Sequence, residues 1–520
     1  MSTEKDTTVY EEKSVSEVAP SLEFAAGEIK DLDLKIHTQA QSDPNFKYIN
    51  DFDVEAHEAE DTSYEKVVVK LAKQFLFPMT FCYFLQFIDK VTLNYGNVMG
   101  LQAELGLVGD QFSRLPMSFF IAYIVFEFLQ MFVIQKFPVA KVLGVNVVIW
   151  GILTACCAAT QNFAGILVVR ILLGASEAAI VPCMMILTSN FVDKKDAAFF
   201  TGVWYSGLGI GQIVGGLLSF LFQHVSLTAP VSGWRIMFIV IGMLNILAGV
   251  YVFLVLPSTP LENKKLTAKE KYVLLVKLTE GKLGVTGKIF KPKQALELLF
   301  DIQGWLFLLI CATISFSSNT ISTFSSIDIV SFGFTSKEAA LLGMPSGVVS
   351  VFASVVASYF IKRGSPRYLT ICCTLVPAVV GAALMSYLPS NNKAGLLIGI
   401  YLVNFITCPY ALAIVWASSN VSGSTKKIGM QAVFISVGFA LGNITGPLSY
   451  RAVDAPKYEP AKVSMLITQC VSIGLALVIV GIYYIRNKKR DKYVGEYKDE
   501  TENAWADLTD FENKRFRYLY

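Results

Sequence analysis

Charge is what this chain has least of. Asp, Glu, Lys and Arg make up 16% of its 520 residues, against about 25% in a soluble globular domain. Hydrophobic residues reach 53% and the mean hydropathy is +0.51. That balance excludes a soluble globular class and predicts a polytopic membrane protein. The net charge is only +3, and the basic residues lie in short loops rather than in one patch, which excludes a nucleic-acid surface. The nine cysteines all fall in apolar segments. No Cys-x-x-Cys or Cys/His zinc spacing occurs, so neither a disulfide framework nor a metal site is expected, and the thiols read as small packing groups. No leader-like run precedes Gln74, so the first transmembrane helix itself is expected to direct insertion. No motif points to an enzymatic reaction, and no catalytic residues are expected.

What is present is a succession of apolar runs of about 20 residues, each long enough to cross a hydrocarbon core of ~30 Å as a helix. They lie near 74–95, 112–135, 142–160, 164–190, 199–222 and 235–256, then near 304–327, 338–361, 368–388, 395–418, 428–449 and 463–485. The predicted fold is an all-α polytopic membrane protein with twelve transmembrane helices in two six-helix halves. Its parts are an acidic tail over 1–65, read as disordered, a first half over 66–256, a basic loop over 257–303, a second half over 304–485, and a tail over 486–520. Within the loop, Ala268–Leu283 is amphipathic and predicts a short interfacial helix. Ala140-Lys141-Val142-Leu143 and Pro366-Arg367-Tyr368-Leu369 sit at equivalent places in the halves. They suggest a duplicated unit, whose substrate site would lie at the midplane between the repeats.

Lys and Arg gather on one side: Lys136, Lys141, Lys194, Lys195, the central loop, Arg363, Arg367, Lys426, Lys427 and 486–490. Residues 96–111 have none and 389–394 only Lys393. The positive-inside rule then predicts that both termini and the central loop are cytoplasmic. The sequons at Asn420 and Asn443 fall in a cytoplasmic loop and a membrane helix, so neither is expected to be glycosylated.

Against this apolar background four charges stand out: Asp89 and Lys90 in the first span, Arg170 and Glu177 in the fourth. A charge at bilayer depth costs at least ~2.5–3.5 kcal/mol on insertion scales, and such residues mark substrate or ion pathways. Arg170, Gly174 and Glu177 share a helical face, but Arg170 and Glu177 are about 10.5 Å apart along the axis, too far to pair. Asp89 and Lys90 are adjacent and point in different directions. Each charge therefore needs a partner on another helix, on a substrate or in water. The functional reading gives the carboxylates to protons and the cations to an anionic substrate. Low dielectric favours a neutral carboxyl and a nearby cation the ionised form, so a shift between the two couples proton uptake to transport. A purely structural network locking spans one and four together is the alternative. Glu127 is a further buried acid, on a proton path or at a gate. Lys141 and Arg367 are gate candidates, while Arg235 and Asp328 read as interfacial or structural. Gly207, Gly211 and Gly215 suggest close helix packing, with Gln212 facing the cavity. Spans seven to twelve offer few ionisable groups in their cores, which favours proton coupling over a passive pore.

Several motifs carry a resemblance. They are Tyr83-Phe-Leu-Gln-Phe-Ile-Asp89-Lys90-Val-Thr-Leu-Asn94, Arg170-Ile-Leu-Leu-Gly174-Ala-Ser-Glu177 with Pro182, Gly233-Trp234-Arg235 with Phe238, Asn420-Val-Ser-Gly423-Ser-Thr-Lys426-Lys427, Gly442-Asn443-Ile-Thr-Gly446-Pro447, and Asp454-Ala455-Pro456-Lys457-Tyr458. In this order they make the chain, over about 70–485, resemble the major facilitator superfamily, and within it the anion:cation symporters of the fungal allantoate permease-like group. The resemblance implies proton-driven import of a small organic anion such as allantoate or ureidosuccinate, a carboxylate vitamin or a sulfur compound, by alternating access. It implies proton handling by Asp89 and Glu177, an anion contact at Arg170, and substrate contacts at Tyr123 and Asn443. Lys90 stands where many members have Arg, a point charge in place of a bidentate fork. The Gly-x-x-x-Asp-Arg pattern after span two is missing, and Asp193-Lys194-Lys195-Asp196 is poor in Arg.

The expected partners are a small anion, protons and the lipid bilayer, with no cofactor beyond the proton gradient, no nucleic acid and a monomeric state. The expected location is the plasma membrane, with endoplasmic reticulum or vacuole as alternatives. Two rival functions are a drug:proton antiporter of the same fold and a nutrient sensor that binds without transporting.

Overall fold

In a bilayer, a chain without closed strands can satisfy its backbone polar groups only by forming helices, and every regular element among the described residues is helical. The computed structural model describes residues 48–49, 51–52, 62–225, 230–281, 291–389, 391–491, 509–513 and 516–520. Most of the 1–65 tail, the middle of the central loop and 492–508 lie outside the described residues.

The first half comprises α1 (Tyr64–Val98), the short α2 (Leu101–Glu104), α3 (Gln111–Lys136), α4 (Val139–Cys157), α5 (Phe163–Glu177), α6 (Ile180–Phe191), α7 (Lys194–Tyr205), α8 (Gly207–Phe222) and α9 (Gly233–Val255). The linker contributes α10 (Ala268–Gly281), over the predicted amphipathic stretch, and α11 (Pro292–Phe300). The second half holds α12 (Ile302–Ser331), α13 (Ser336–Leu342), α14 (Met344–Lys362), α15 (Arg367–Tyr387), α16 (Lys393–Val403), α17 (Thr407–Ser419), α18 (Ser424–Gly429), α19 (Ser436–Leu448) and α20 (Glu459–Arg490). Twelve helical stretches among the described residues are long and apolar enough to cross a membrane. An even number of crossings puts both termini on one face, here the terminal face.

Several spans are broken, for reasons visible in the chain. The fourth changes from α5 to α6 at Ala178-Ala179, where Pro182 has no N–H to give the carbonyl of residue 178. The tenth passes through a 3₁₀ turn, Asn404–Ile406, between α16 and α17, and Pro409 leaves the carbonyl of residue 405 free in the same way. These are the fourth spans of the two halves. Interrupted helices at matching positions point to a binding site between the repeats. The eleventh span contains a π-helical stretch, Met430–Ile435, another local irregularity common at functional sites.

Within the halves α4 packs on α9 and α12 on α19; between them α3 meets α19, α8 meets α14 and α1 meets α12. The glycines of the fifth span divide this labour. Gly207 and Gly211 lie against the α1 backbone, where added Cβ atoms would stand 2.5 Å from the Thr80 carbonyl oxygen and 2.9 Å from that of Phe84. Gly209 faces the other half: its Cβ would stand 2.5 Å from the Gly347 oxygen, and one on Gly347 only 2.4 Å from the Gly209 oxygen. Only hydrogen fits at that crossing. Gly347→Ala is therefore expected to force α8 and α14 apart and to cost about 1–3 kcal/mol, the usual scale of overpacking. The checks are the thermal unfolding midpoint of the purified protein and its transport rate. An unchanged midpoint and rate would mean the two helices have room to spare.

The face opposite the termini is sealed by contacts between the halves. Asn94 Nδ2 donates to Ser326 Oγ at 3.1 Å and Ser113 Oγ to the Tyr450 carbonyl at 3.3 Å. Phe324 stacks on Tyr450 at 4.0 Å, with Phe112 edge-on to it at 6.2 Å. Beneath them the Tyr450 hydroxyl donates to Asp328 Oδ2 at 2.7 Å, with Lys462 at 3.6 Å from the same carboxylate. Asp328 is thus part of a closed plug. At the terminal face the halves separate around a cavity of about 2140 Å3, whose wall reaches from Tyr64 and Asp193 at the rim to Asp89 and Arg170 in the depth.

The described end of the C-terminal tail is docked against this face. The Leu519 carbonyl accepts from Trp416 Nε1 at 2.9 Å and from Asn420 Nδ2 at 3.0 Å, and the Tyr520 carbonyl accepts from the Arg367 amide at 2.8 Å. Lys426 departs from the expectation of a loop cation. It is fully buried, 2.7 Å from Glu297 and Asp510 and 3.0 Å from Asp301. The Tyr518 hydroxyl donates to Asp510 Oδ2 at 2.7 Å; burial, reinforced by that carboxylate, pushes the phenol above its ordinary value.

Candidate functional site

The deep end of the cavity is built on α1 and α5, which run in opposite directions. Helical spacing puts Gln86 and Lys90 on one face of α1 and turns Asp89 toward α4 and α5. Asp89 is 1% exposed. Its Oδ1 accepts from Thr154 Oγ1 at 2.9 Å, and its Oδ2 lies 3.8 Å from Arg170 NH1. The guanidinium sits 5.6 Å from the centre of the Phe238 ring. Arg170 Nε and NH2 are buried without a hydrogen-bond partner among the described residues. Glu177 closes α5 at the break above Pro182, and its Oε2 accepts from Gln86 Nε2 at 3.3 Å. The two charges of α5 are therefore each met from α1, in antiparallel order, and do not meet each other. Asp89, Lys90, Arg170 and Glu177 all line the cavity.

Lys90 is differently placed from its neighbours. Its ammonium donates to Asn443 Oδ1 at 3.3 Å and stands 5.4 Å from the Phe120 ring centre. It makes no ion pair among the described residues, so two of its three N–H groups are left for the cavity. Asn443 stands behind it, Nδ2 bonded to the Phe439 carbonyl and its own carbonyl held by Asn319 Nδ2 at 2.8 Å. It contacts Lys90 rather than forming the wall itself. Tyr123 lines the cavity within an aromatic group, 6.1 Å from Phe439, which in turn is 4.8 Å from Tyr410. Glu127, one helical turn nearer the mouth, accepts from Ser436 Oγ at 2.7 Å.

Two expected positions fall elsewhere. Gln212 does not line the cavity: it is 5% exposed, and Nε2 donates to Asn404 Oδ1 at 3.2 Å across the halves. The glycine face of α8 is pressed against its neighbours, which carries Gln212 into the seam. Lys141 bonds the Phe253 carbonyl and covers the Phe253 ring at 4.7 Å, tying α4 to α9 away from the mouth. Arg367 does line the cavity, near the rim. Arg235 joins Glu104 at 2.7 Å on the opposite face; partial burial works against ionisation there, yet the Arg235 and Trp234 hydrogen bonds hold the Glu104 carboxyl below its usual range. Gln86, Thr154, Asn319 and Ser436 were missed as site residues. Gln86 had a signal, a polar side chain one turn before Lys90. Thr154 and Ser436 are small hydroxyls in apolar helices and give none.

A helical bundle of two matching halves, open at one face with paired charges at its centre, now has its match among known proteins. The Major Facilitator Superfamily profile fits residues 79–447. The chain belongs to that superfamily. Among similar proteins, the thiamine pathway transporter of Saccharomyces cerevisiae is 36% identical, over 87% of this chain and 86% of its own. The allantoate permease of the same yeast is 31% identical, over 85% and 84%. This facilitator-superfamily member therefore sits with fungal transporters of the allantoate permease kind, and its relatives are transporters rather than enzymes. Its fold is similar to that of a bacterial homolog of the human lysosomal transporter Spinster in an inward-facing and occupied conformation, with a TM-score of 0.55 at 16% identity, covering 81% of this chain and 97% of that one. As a superfamily member it is a multi-pass membrane protein and a secondary transporter of a small molecule.

Proposed function

We propose that the transporter is a proton-coupled symporter importing a small organic anion such as allantoate or ureidosuccinate, a carboxylate vitamin or a sulfur compound, by alternating access. The observation that carries this is Lys90: an ammonium on the wall of the central cavity, with no carboxylate paired to it among the described residues and donors to spare. A substrate anion is the partner it lacks. Asp89 and Glu177 beside it are the proton carriers, and Arg170, held on Asp89, is released toward the anion when that acid is protonated. The terminal face, where Lys and Arg are concentrated, is cytoplasmic, and the sealed opposite face with its Phe112, Phe324 and Tyr450 plug is the outer gate. The protein works as a monomer in the plasma membrane.

Uptake into proteoliposomes under an imposed pH gradient tests this, with labelled ureides, carboxylate vitamins, cysteine and sulfonates as candidates. Accumulation of one of them that collapses with the gradient is the expected result; flux indifferent to the gradient for every candidate would overturn it. Lys90→Gln is expected to raise the KM for the transported anion at least about tenfold, since a hydrogen bond to a charged group contributes roughly 1.5–3 kcal/mol. An unchanged KM would remove Lys90 from the binding site.

A further inference from the structure

The cavity wall has a second pole, opposite in sign to Lys90. Glu127 is 9% exposed. Its Oε1 is bonded to Ser436, while its Oε2 is buried without a hydrogen-bond partner among the described residues. No cation pairs with it among the described residues, although it lines the cavity. A desolvated carboxylate oxygen with nothing to accept is costly, so a ligand donor that reaches it from the cavity would relieve that cost.

The distance between the poles is fixed twice. On α3, Phe120 contacts Lys90 and Glu127 follows seven residues later; on α19, Ser436 contacts Glu127 and Asn443, seven residues on, contacts Lys90. Seven helical residues rise about 10.5 Å. Helices from different halves therefore agree that the cation and the acid stand roughly 10 Å apart along the cavity, the acid nearer the mouth. Between them lie aromatic faces: Phe120 and Phe439 at 5.9 Å, Tyr123 and Phe439 at 6.1 Å. Aromatic rings in this setting favour a flat or apolar body and tolerate a cation against their faces.

We propose that the transported molecule is a zwitterion. Its oxyanion binds Lys90 at depth, a flat apolar middle lies between Phe120, Tyr123 and Phe439, and a cationic nitrogen donates to Glu127. This rests on Lys90 as the anion contact and narrows the anion class to molecules that also carry a positive charge. A simple anion would leave the free oxygen of Glu127 dry; a zwitterion answers both poles without changing the charge of the site.

Binding to the full-length protein in detergent tests this without any proton gradient, so a failure of coupling and a failure here are separable. The probes are shape-matched pairs: 4-(aminomethyl)benzoate against 4-methylbenzoate, and 4-(aminomethyl)phenylacetate against 4-methylphenylacetate. At least one zwitterion is expected to raise the unfolding midpoint at a concentration at least about tenfold below that of its anionic twin, the scale of one charged hydrogen bond. Glu127→Gln brings the ratio close to one, and Lys90→Gln removes the response to both members of the pair. Glu127→Ala serves as the second variant if the first folds poorly. Equal or stronger binding of the anionic twins, no stabilisation by either zwitterion, or a preference that persists in the Glu127 variants would each overturn the proposal. The last outcome would leave Glu127 as a proton carrier or gate contact.

Discussion

Glu177→Gln is expected to abolish uphill, proton-driven accumulation of substrate while leaving exchange of labelled for unlabelled substrate across the membrane. The variant separates charge from structure because of how Glu177 is held. Among the described residues its carboxylate accepts a single hydrogen bond, from Gln86 Nε2, and the amide oxygen of Gln, on a side chain of the same length, accepts it equally well. Glu177 also ends α5 at the break set by Pro182, so no helix interior is disturbed. On the proposed assignment the variant loses the exchangeable proton, and with it the coupling step, while the remaining cavity is expected still to bind and to reorient with substrate bound. Accumulation and counterflow in the same proteoliposomes measure the two separately. Full accumulation by Glu177→Gln would sink the assignment. Asp89 is a poorer test of the same idea. Its carboxylate faces Arg170, which is 3% exposed, and removing one partner of a buried pair costs about 3–5 kcal/mol. Asp89→Asn is thus expected to lose transport and stability together.

The number of membrane helices and the identity of the central charges could be read from the sequence, because both rest on a one-dimensional property. Twenty apolar residues cross a bilayer wherever they pack, and a charge inside them is costly whatever its neighbours are. Partners are a different matter. That Arg170 meets Asp89 and Glu177 meets Gln86 follows from α1 and α5 running antiparallel, which spacing on one helix cannot show. Gln212 and Lys141 lie off the cavity wall for the same reason: a polar residue near the midplane or a base at a helix end has several available directions, and neighbouring helices choose among them. The glycines of the fifth span were read as packing residues, but the two faces they serve, Gly207 and Gly211 toward α1 and Gly209 toward α14, emerge only from the packed halves. Lys426 shows the limit most clearly. Lys426 and Lys427 looked alike in sequence, yet one is fully buried, because three acids from distant segments converge on it.

That convergence gives Lys426→Met a large expected effect on stability. The ammonium is in contact with Glu297 from α11, Asp301 at the start of α12 and Asp510 from the C-terminal tail, and neither Asp301 nor Asp510 is exposed. Arg486 shares Asp301 at 2.8 Å, so the cluster holds two cations against three carboxylates. Without Lys426 one cation remains for three acids, and Asp510 keeps only its Tyr518 and Gln303 hydrogen bonds. Breaking a buried pair in this way costs about 3–5 kcal/mol, whereas an exposed pair would contribute at most about 1 kcal/mol. The thermal unfolding midpoint of the purified protein is expected to fall sharply, and the tail from Thr509 onward to become open to protease. Adding Asp510→Asn brings the surplus back to one acid, as in the intact cluster, and should recover part of the loss; two independent sites would instead add. Deleting 509–520 leaves Lys426 on Glu297 and Asp301 and is expected to cost less than Lys426→Met. The reverse order, or a midpoint that Lys426→Met leaves unchanged, would mean that solvent reaches this cluster and that the tail does not depend on it.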